Sequence, residues 1–277
     1  MNRSDARFAA PFLPVYQGLV LLGPTGSGKT PLGCLMGQQG LWSRWCVHFD
    51  FGAQLRRIAV DFPTEAGPPQ PESSTDLFRL FPRTTGKNYR PGEKCPCLSQ
   101  YFTDQEREFV RQVLRRGALL EDEHFPLALK ILQYFLLSEG LRRTDLAPFA
   151  AHPLPKAEVF SPAPLLVLNG LPRHVGQAEA LRRWVDVQAV IHLECPAEVV
   201  LERICTNVGG DRQGRTDDDL ASVQAKLAVY EARTRPLIDY YQKQGVPVVC
   251  LEVTATMRPA DVWMQLQTKN PWSGPKA

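Results

Sequence analysis

The residues Gly23-Pro24-Thr25-Gly26-Ser27-Gly28-Lys29-Thr30 constrain this chain more than any other stretch. They follow the short apolar run Gln17-Gly18-Leu19-Val20-Leu21-Leu22. They precede a segment, Pro31 to Gln39, whose apolar residues recur at helical spacing. The stretch therefore reads as the turn between a buried strand and a helix. In that context the pattern GxxxxGK[ST] is a phosphate-binding loop, or P-loop. Its glycines let backbone N–H groups turn inward around the α- and β-phosphates, Lys29 reaches the β/γ oxygens, and the Thr30 hydroxyl is suited to Mg²⁺. The helix N-terminus adds its dipole to the same anion site. A glycine-rich turn beside a surface lysine has no need for all the fixed positions at once. Gly23, Thr25, Gly26, Ser27, Gly28, Lys29 and Thr30 are thus the expected nucleotide contacts, and the expected ligand is a nucleoside triphosphate.

With 277 residues, 44% of them apolar, the chain is long enough for one large α/β core, and no break in composition forces a second domain. The net charge of +3 comes from interspersed lysines, arginines and acids, which does not imply nucleic acid and suits a small anionic substrate. Seven cysteines, an odd and unevenly spaced set, read as reduced thiols rather than a disulfide framework. Residues 1–13 lack a long apolar stretch, and no window reaches the roughly eighteen apolar residues of a membrane span. A monomeric cytoplasmic enzyme, bound to neither membrane nor nucleic acid, is the expectation.

Taken in order, Trp45 to Phe49 reads as a second strand, ending at Asp50-Phe51-Gly52 before a helical segment from Ala53 to Val60 that carries Arg56 and Arg57. Either arginine could face a second substrate or simply lie on a solvated face. Residues 61 to 103 are broken by Pro63, Pro68, Pro69, Pro71, Pro82 and Pro91 and read as a long insertion or loop. Within it Cys95-Pro96-Cys97 has the wrong spacing for a zinc knuckle and reads as loop thiols. Thr103-Asp104-Gln105-Glu106 is a capping segment for a helix to Arg116 that Gly117 ends. An amphipathic helix is expected from Glu121 to Leu137. After a proline-rich connector, Thr144 to Pro164, Leu165-Leu166-Val167-Leu168 reads as a central strand buried on both faces.

That strand runs into Asn169-Gly170-Leu171-Pro172-Arg173, then Gln177 and a helix through Trp184. Ligands of open α/β sheets bind outside the carboxyl ends of their strands, which puts Asn169 and Arg173 where chemistry is expected. A strand over Ala189 to Leu193 precedes a helix containing Arg203. The glycine-rich, basic segment Asn207 to Arg215 suits a closing lid. Asp217, Asp218 and Asp219 open the next helix as caps. A strand from Pro247 to Val253 and a helix over Ala260 to Leu266 complete an alternating βα pattern with five strands.

Taken together these motifs resemble the adenylate kinase family. The resemblance rests on Gly23 to Thr30, Asn169 to Arg173 with Gln177 to Leu181, and Gly214-Arg215-Thr216-Asp217-Asp218 followed by Tyr230, Thr234, Pro236 and Leu237 to Tyr241, all in the family's order. Gly117 to Glu123 resembles the segment that closes the family's AMP-binding region. The resemblance implies a three-layer P-loop kinase fold with a five-stranded parallel sheet. One domain would hold a core (17–50 and 164–268), a monophosphate-binding region with its insertion (51–140), a connector (141–163), a short lid (206–216) and a tail (269–277). It implies ATP and Mg²⁺, small-molecule nucleotide substrates, and an acceptor that is most often AMP. Lys29, Arg173, Arg203 and Arg215 would be the catalytic cations. Gly52, Arg56, Gly170, Arg173 and Gln177 would hold the monophosphate, with Gln177 reading the adenine edge. Thr30 and Asn169 would serve the metal.

The departures from the family carry information. An aspartate usually stands at 169, and an amide there keeps hydrogen bonding but removes a negative charge near Mg²⁺. Asn207 and Lys226 stand where arginines are usual; lysine lacks the bidentate fork, and Arg212 is the candidate replacement for a guanidinium at 207. Phe51 replaces a small hydroxyl residue of the AMP pocket. Two other readings are a small-molecule kinase resembling shikimate or gluconate kinases, with Asp50 as base, and a catalytically weakened nucleotide sensor.

Overall fold

The fold is described from a computed structural model for residues 16–60, 98–118, 120–139, 164–213 and 218–273, and the statements below concern those residues. The insertion at 61–97 with Cys95 and Cys97, the connector at 141–163, and Arg215 in the lid lie outside them. Five strands, β1 (Tyr16–Leu22), β2 (Cys46–Asp50), β3 (Leu165–Asn169), β4 (Val185–Glu194) and β5 (Val248–Glu252), form one sheet in the order β2-β3-β1-β4-β5. Every neighbouring pair is parallel.

Side chains alternate across a strand, so a sheet covered on both faces needs apolar residues at nearly every position. β1 meets that demand. Val20 and Leu22 pack on one side with Phe49, Leu168 and the helices α2 (Phe51–Ala59), α4 (Asp104–Arg116), α5 (Phe125–Ser138), α6 (Val175–Leu181) and α9 (Leu237–Lys243). Leu19 and Leu21 pack on the other with Leu32 and Met36 of α1 (Lys29–Gln39), Val200 of α7 (Ala197–Thr206), Val223 of α8 (Leu220–Val229) and Val262 of α10 (Pro259–Thr268). The result is the expected three-layer α/β sandwich.

Several boundaries move. β4 starts at Val185 rather than Ala189, because the lower half of β1 pairs with it through Tyr16↔Val185 across an irregularity at Gly18/Leu19. The helix expected from Glu121 opens as a 3₁₀ turn, Asp122–His124, before α5. α6 stops at Leu181, and α1 begins at Lys29. The loose stretch expected to reach 103 ends earlier, in a short helix α3 (Leu98–Tyr101), whose Leu98 and Tyr101 are buried in the main core.

α4 forms as its sequence dictates. Thr103 and Glu106 exchange hydrogen bonds in a capping box, and Gly117 closes the helix in the left-handed region at φ 60°. Arginines on its packed face then cap α2. Arg107 donates to the carbonyl oxygens of Ile58 and Val60, and Arg111 to that of Ala59. α2 leaves β2 directly at Asp50, so the brace fixes the helix that carries Arg56 over the edge of the sheet.

Candidate active site

The chain leaves β1 toward β2 in one direction and leaves β3 toward β4 in the other, so a crevice opens beyond the carboxyl ends of β1 and β3. Gly23 turns the backbone into it at φ 150°. A Cβ at Gly23 would stand 2.7 Å from Ser27 Oγ and 2.8 Å from the Leu193 carbonyl oxygen, so only glycine fits. Ser27 is wholly buried beneath the loop. Lys29 Nζ donates to the carbonyl oxygens of Gly23 at 2.7 Å and Pro24 at 2.6 Å, and lies 3.4 Å from Ser27 Oγ.

Burial, followed by the neighbouring guanidinium groups of Arg173 and Arg212, pulls the Lys29 ammonium down to about 7, against the smaller opposing pull of Asp50 and Asp211. Three cations from distant parts of the chain thus converge on one loop. An arriving polyphosphate reverses this balance, since a nearby anion favours the charged form of lysine.

Beside the loop, Thr30 Oγ1 donates to Asp50 Oδ2 at 2.6 Å, and Asn169 Nδ2 donates to both Thr30 Oγ1 at 3.0 Å and Asp50 Oδ2 at 3.1 Å. The other carboxylate oxygen of Asp50 accepts from Ala53 N at 2.8 Å and caps α2.

Arg173 follows β3. Its Nε is buried with no hydrogen-bond partner among the described residues, and burial lowers the pKa of its guanidinium. The backbone around it is held tightly: Thr234 Oγ1 donates to the Arg173 carbonyl oxygen at 2.9 Å, and Arg173 N donates to Gln177 Oε1 at 2.8 Å. Gln177 is fully buried, and its Nε2 donates to the Leu120 carbonyl oxygen at 2.7 Å. Both ends of that amide are therefore engaged inside the protein. Arg56 is exposed and folds back over Gly52; a Cβ at Gly52 would lie 3.4 Å from Arg56 Nη1 and equally far from Asp50 Oδ1. Gly170, at φ 83°, brings β3 past Phe51, whose side chain is buried in the core against Phe49. Phe51, which the sequence reads as the replacement for a small hydroxyl residue of the AMP pocket, packs inward.

Arg203 packs against the P-loop. It is 2% exposed, it donates to the carbonyl oxygens of Gly26 at 3.2 Å, Thr254 at 2.6 Å and Met257 at 2.8 Å, and its Nη2 lies 3.2 Å from where a Cβ on Gly28 would stand. Here it braces the loop. Arg212 instead approaches from the lid: Nη2 donates to Thr25 Oγ1 at 3.2 Å and Nη1 pairs with Asp218 at 2.8 Å. Asn207 sits in the left-handed region at φ 48°, and its Oδ1 accepts from Arg212 N at 3.1 Å. An open groove continues beside Thr30 between α1, the 209–211 turn and the start of α10, lined by Cys34, Asp211 and Arg258 among others.

A family model described as adenylate kinase matches residues 161–246, from the approach to β3 through α9. The chain is 34% identical over 127 residues to an adenylate kinase of Streptomyces griseus, a match covering 35% of this chain and 57% of that protein. It is 41% identical over 91 residues to one of a Synechococcus species, covering 31% and 46%. With an adenylate kinase of Methanosarcina mazei it shares 34% over 111 residues, covering 30% and 52%. Over those stretches the chain is similar to adenylate kinases.

The chain spans about half the length of the curated adenylate kinases it matches. The stretch matched by the adenylate kinase model contains Asn169, Arg173, Gln177, Arg203 and Arg212, whereas the P-loop precedes it. Among the sequence-derived site residues, the structure brings Lys29, Thr30, Asn169 and Arg173 to the crevice and places Arg203 against the loop. Asp50, which entered the sequence reading only as the base of a different kinase type, joins the same cluster through Thr30 and Asn169. Its position as the last residue of an apolar strand, like Asn169, was the available signal.

Proposed function

We propose that this chain transfers the γ-phosphoryl group of ATP to a nucleoside monophosphate, with AMP as the preferred acceptor, giving two ADP. What carries the reading is the convergence of Lys29, Arg173 and Arg212 on the first glycine-rich bend. Phosphoryl transfer asks little covalent chemistry of the protein; positioning and charge stabilisation around the equatorial oxygens supply most of the catalysis. Lys29 and Arg173 hold the transferring group, Arg212 and the lid's Arg215 close over the donor phosphates, and Arg203 keeps the P-loop in shape. Arg56, Gly52, Gly170 and the backbone around Gln177 form the acceptor's side of the crevice. The acceptor phosphate is already anionic, so no general base is needed. Lid closure excludes the water that would otherwise take the phosphoryl group.

The oxygen donors at the head of α1 suit a hard cation, and Thr30 with its neighbours would hold Mg²⁺ together with the nucleotide's phosphates. When bound, that ion neutralises charge on the β- and γ-phosphates. A single P-loop kinase domain acting as a monomer in the cytoplasm, on soluble nucleotides, is part of the same proposal. Among the described residues no helix is long and apolar enough to cross a membrane.

The test is an acceptor screen with ATP and Mg²⁺, scored by ADP release. ADP formation with AMP above the rate with CMP, UMP or GMP is the expected result; no ADP with any of the four would reject the reading. The alternative in which Asp50 deprotonates a metabolite hydroxyl is less well supported, because Thr30 and Asn169 tie Asp50 Oδ2 to the head of the P-loop helix, on the donor side of the crevice, and Oδ1 caps α2.

A further inference from the structure

β2 and β3 end side by side, with Asp50 and Asn169 as register partners in the parallel ladder. Thr30, at the head of α1, faces both. Its hydroxyl proton goes to Asp50 Oδ2, and it accepts from Asn169 Nδ2, which also donates to Asp50. The closed triangle contains one negative charge. A divalent cation bound beside a P-loop hydroxyl needs an acidic oxygen within reach, directly or through an ordered water. Two strand ends could supply it, and only position 50 carries a carboxylate.

The two positions are also linked by charge. Asn169 Nδ2 lies 3.1 Å from Asp50 Oδ2, so a carboxylate in place of the amide would set two acids at that spacing. The donor that now orients Asp50 would then be lost. The site accommodates one acid and one amide, whichever strand carries which. The amide at 169 is therefore the complement of the acid at 50.

We propose that Asp50 is the carboxylate that anchors the magnesium ion of bound MgATP, and that Asn169 is a positioning residue that fixes Asp50 through its amide. The assignment deepens the ATP-dependent kinase reading and rests on it. It also gives Asp50 a role on the donor side of the crevice. The same carboxylate caps α2 through Ala53 N, so metal binding is tied to the helix that carries Arg56.

Calorimetric titration with a non-hydrolysable ATP analogue, with and without Mn²⁺, tests this without relying on turnover, and Mn²⁺ paramagnetic resonance of the same complexes reports the ion directly. In the wild-type protein Mn²⁺ strengthens analogue binding. Asp50→Asn retains a residue that caps α2, so it should melt near the wild type and bind the metal-free analogue normally. It should lose about 10–100-fold of the Mn²⁺-dependent affinity. The exchange Asp50→Asn/Asn169→Asp should recover most of that loss, whereas Asn169→Asp alone should not improve on the wild type. Wild-type Mn²⁺ dependence in Asp50→Asn would overturn the assignment. So would a well-folded exchange variant that fails to recover it. A wild-type protein that binds the analogue under neither condition would overturn the kinase reading as well; binding without any effect of Asp50→Asn overturns this inference alone.

Discussion

Arg212 and Thr25 join the turn after α7 to the glycine-rich loop: Arg212 Nη2 donates to Thr25 Oγ1 at 3.2 Å although 187 positions separate the two in sequence. The contact is held by two further partners and by burial. Asp218 pairs with the other side of the guanidinium, Asn207 Oδ1 fixes the Arg212 backbone, and the side chain keeps 7% of its surface exposed. Asn207, which stands where the family commonly has arginine, thus supports a guanidinium five residues later.

Arg212→Met should therefore weaken productive ATP use by about 10–100-fold in kcat/KM, the range expected for losing one or two hydrogen bonds to a charged group. Asn207→Ala should produce a smaller loss of the same kind, because it releases the backbone of Arg212 and leaves its charge. Steady-state kinetics with ATP varied at saturating acceptor checks both. An Arg212→Met protein with wild-type kcat/KM would remove the residue from the site.

The brace between α4 and α2 predicts a different signature. Arg107 is 8% exposed and donates to the carbonyl oxygens of Ile58 and Val60. Replacing it with methionine keeps most of the apolar stem but leaves those acceptors without their donor, at a cost of about 1–3 kcal/mol. Denaturant unfolding measures the loss. Because α2 carries Arg56, KM for the monophosphate should rise more than KM for ATP; equal effects on the two would contradict the division of the crevice into donor and acceptor sides.

His192 makes acid stability testable. It is 5% exposed on β4, hydrogen-bonded through Nε2 to the Tyr230 hydroxyl at 2.9 Å, and burial lowers its pKa, with Arg235 and Lys29 adding to the effect against Glu194 and Glu231. Above the unfolded value of about 6.5 the residue is neutral in both states and contributes no pH dependence. As the pH falls below that value the unfolded chain takes up the proton first, so stability declines until the folded pKa is passed. The decline amounts to about 1.4 kcal/mol for each unit by which folding lowers the pKa. His192→Gln, which can still bond Tyr230, should lose less stability between pH 7 and pH 5 than the wild type in chemical denaturation. Parallel curves for the two proteins would contradict the assignment.

The sheet was legible because each strand is an apolar run bounded by turn residues, and the P-loop marks where the first of them ends. Leu165 to Asn169 is buried along its whole length, and the sequence reads it as a central strand for that reason. The capping box at Thr103 and the stop at Gly117 were equally readable, since local chemistry determines both. α3 was not, because four residues are too few for a period to emerge and its Leu98 and Tyr101 are held by distant core partners. The lower half of β4 was missed because Asp186 and Gln188 are polar; Asp186 is placed by pairing with Gln17 of β1, and Gln188 falls at the irregularity between Val187 and Ala189. At the site, Lys29, Thr30, Asn169 and Arg173 could be named from motifs. The bond from Asn169 to Asp50 depends on the alignment of two strand ends 119 residues apart, and the inward course of Phe51 on what the core leaves unfilled. Arg203 carries a motif position, yet its Nε and Nη1 bond the carbonyl oxygens of Gly26, Thr254 and Met257, which only folding brings together.

The central claim is transfer of a phosphoryl group between two nucleotides, and following the group itself tests it most directly. With ATP labelled at its γ-phosphorus and AMP as acceptor, the account predicts label at the β-position of the ADP formed from AMP, little inorganic phosphate, and neither product with Lys29→Met. Label released only as inorganic phosphate, or retained in ATP with every monophosphate offered, would contradict it.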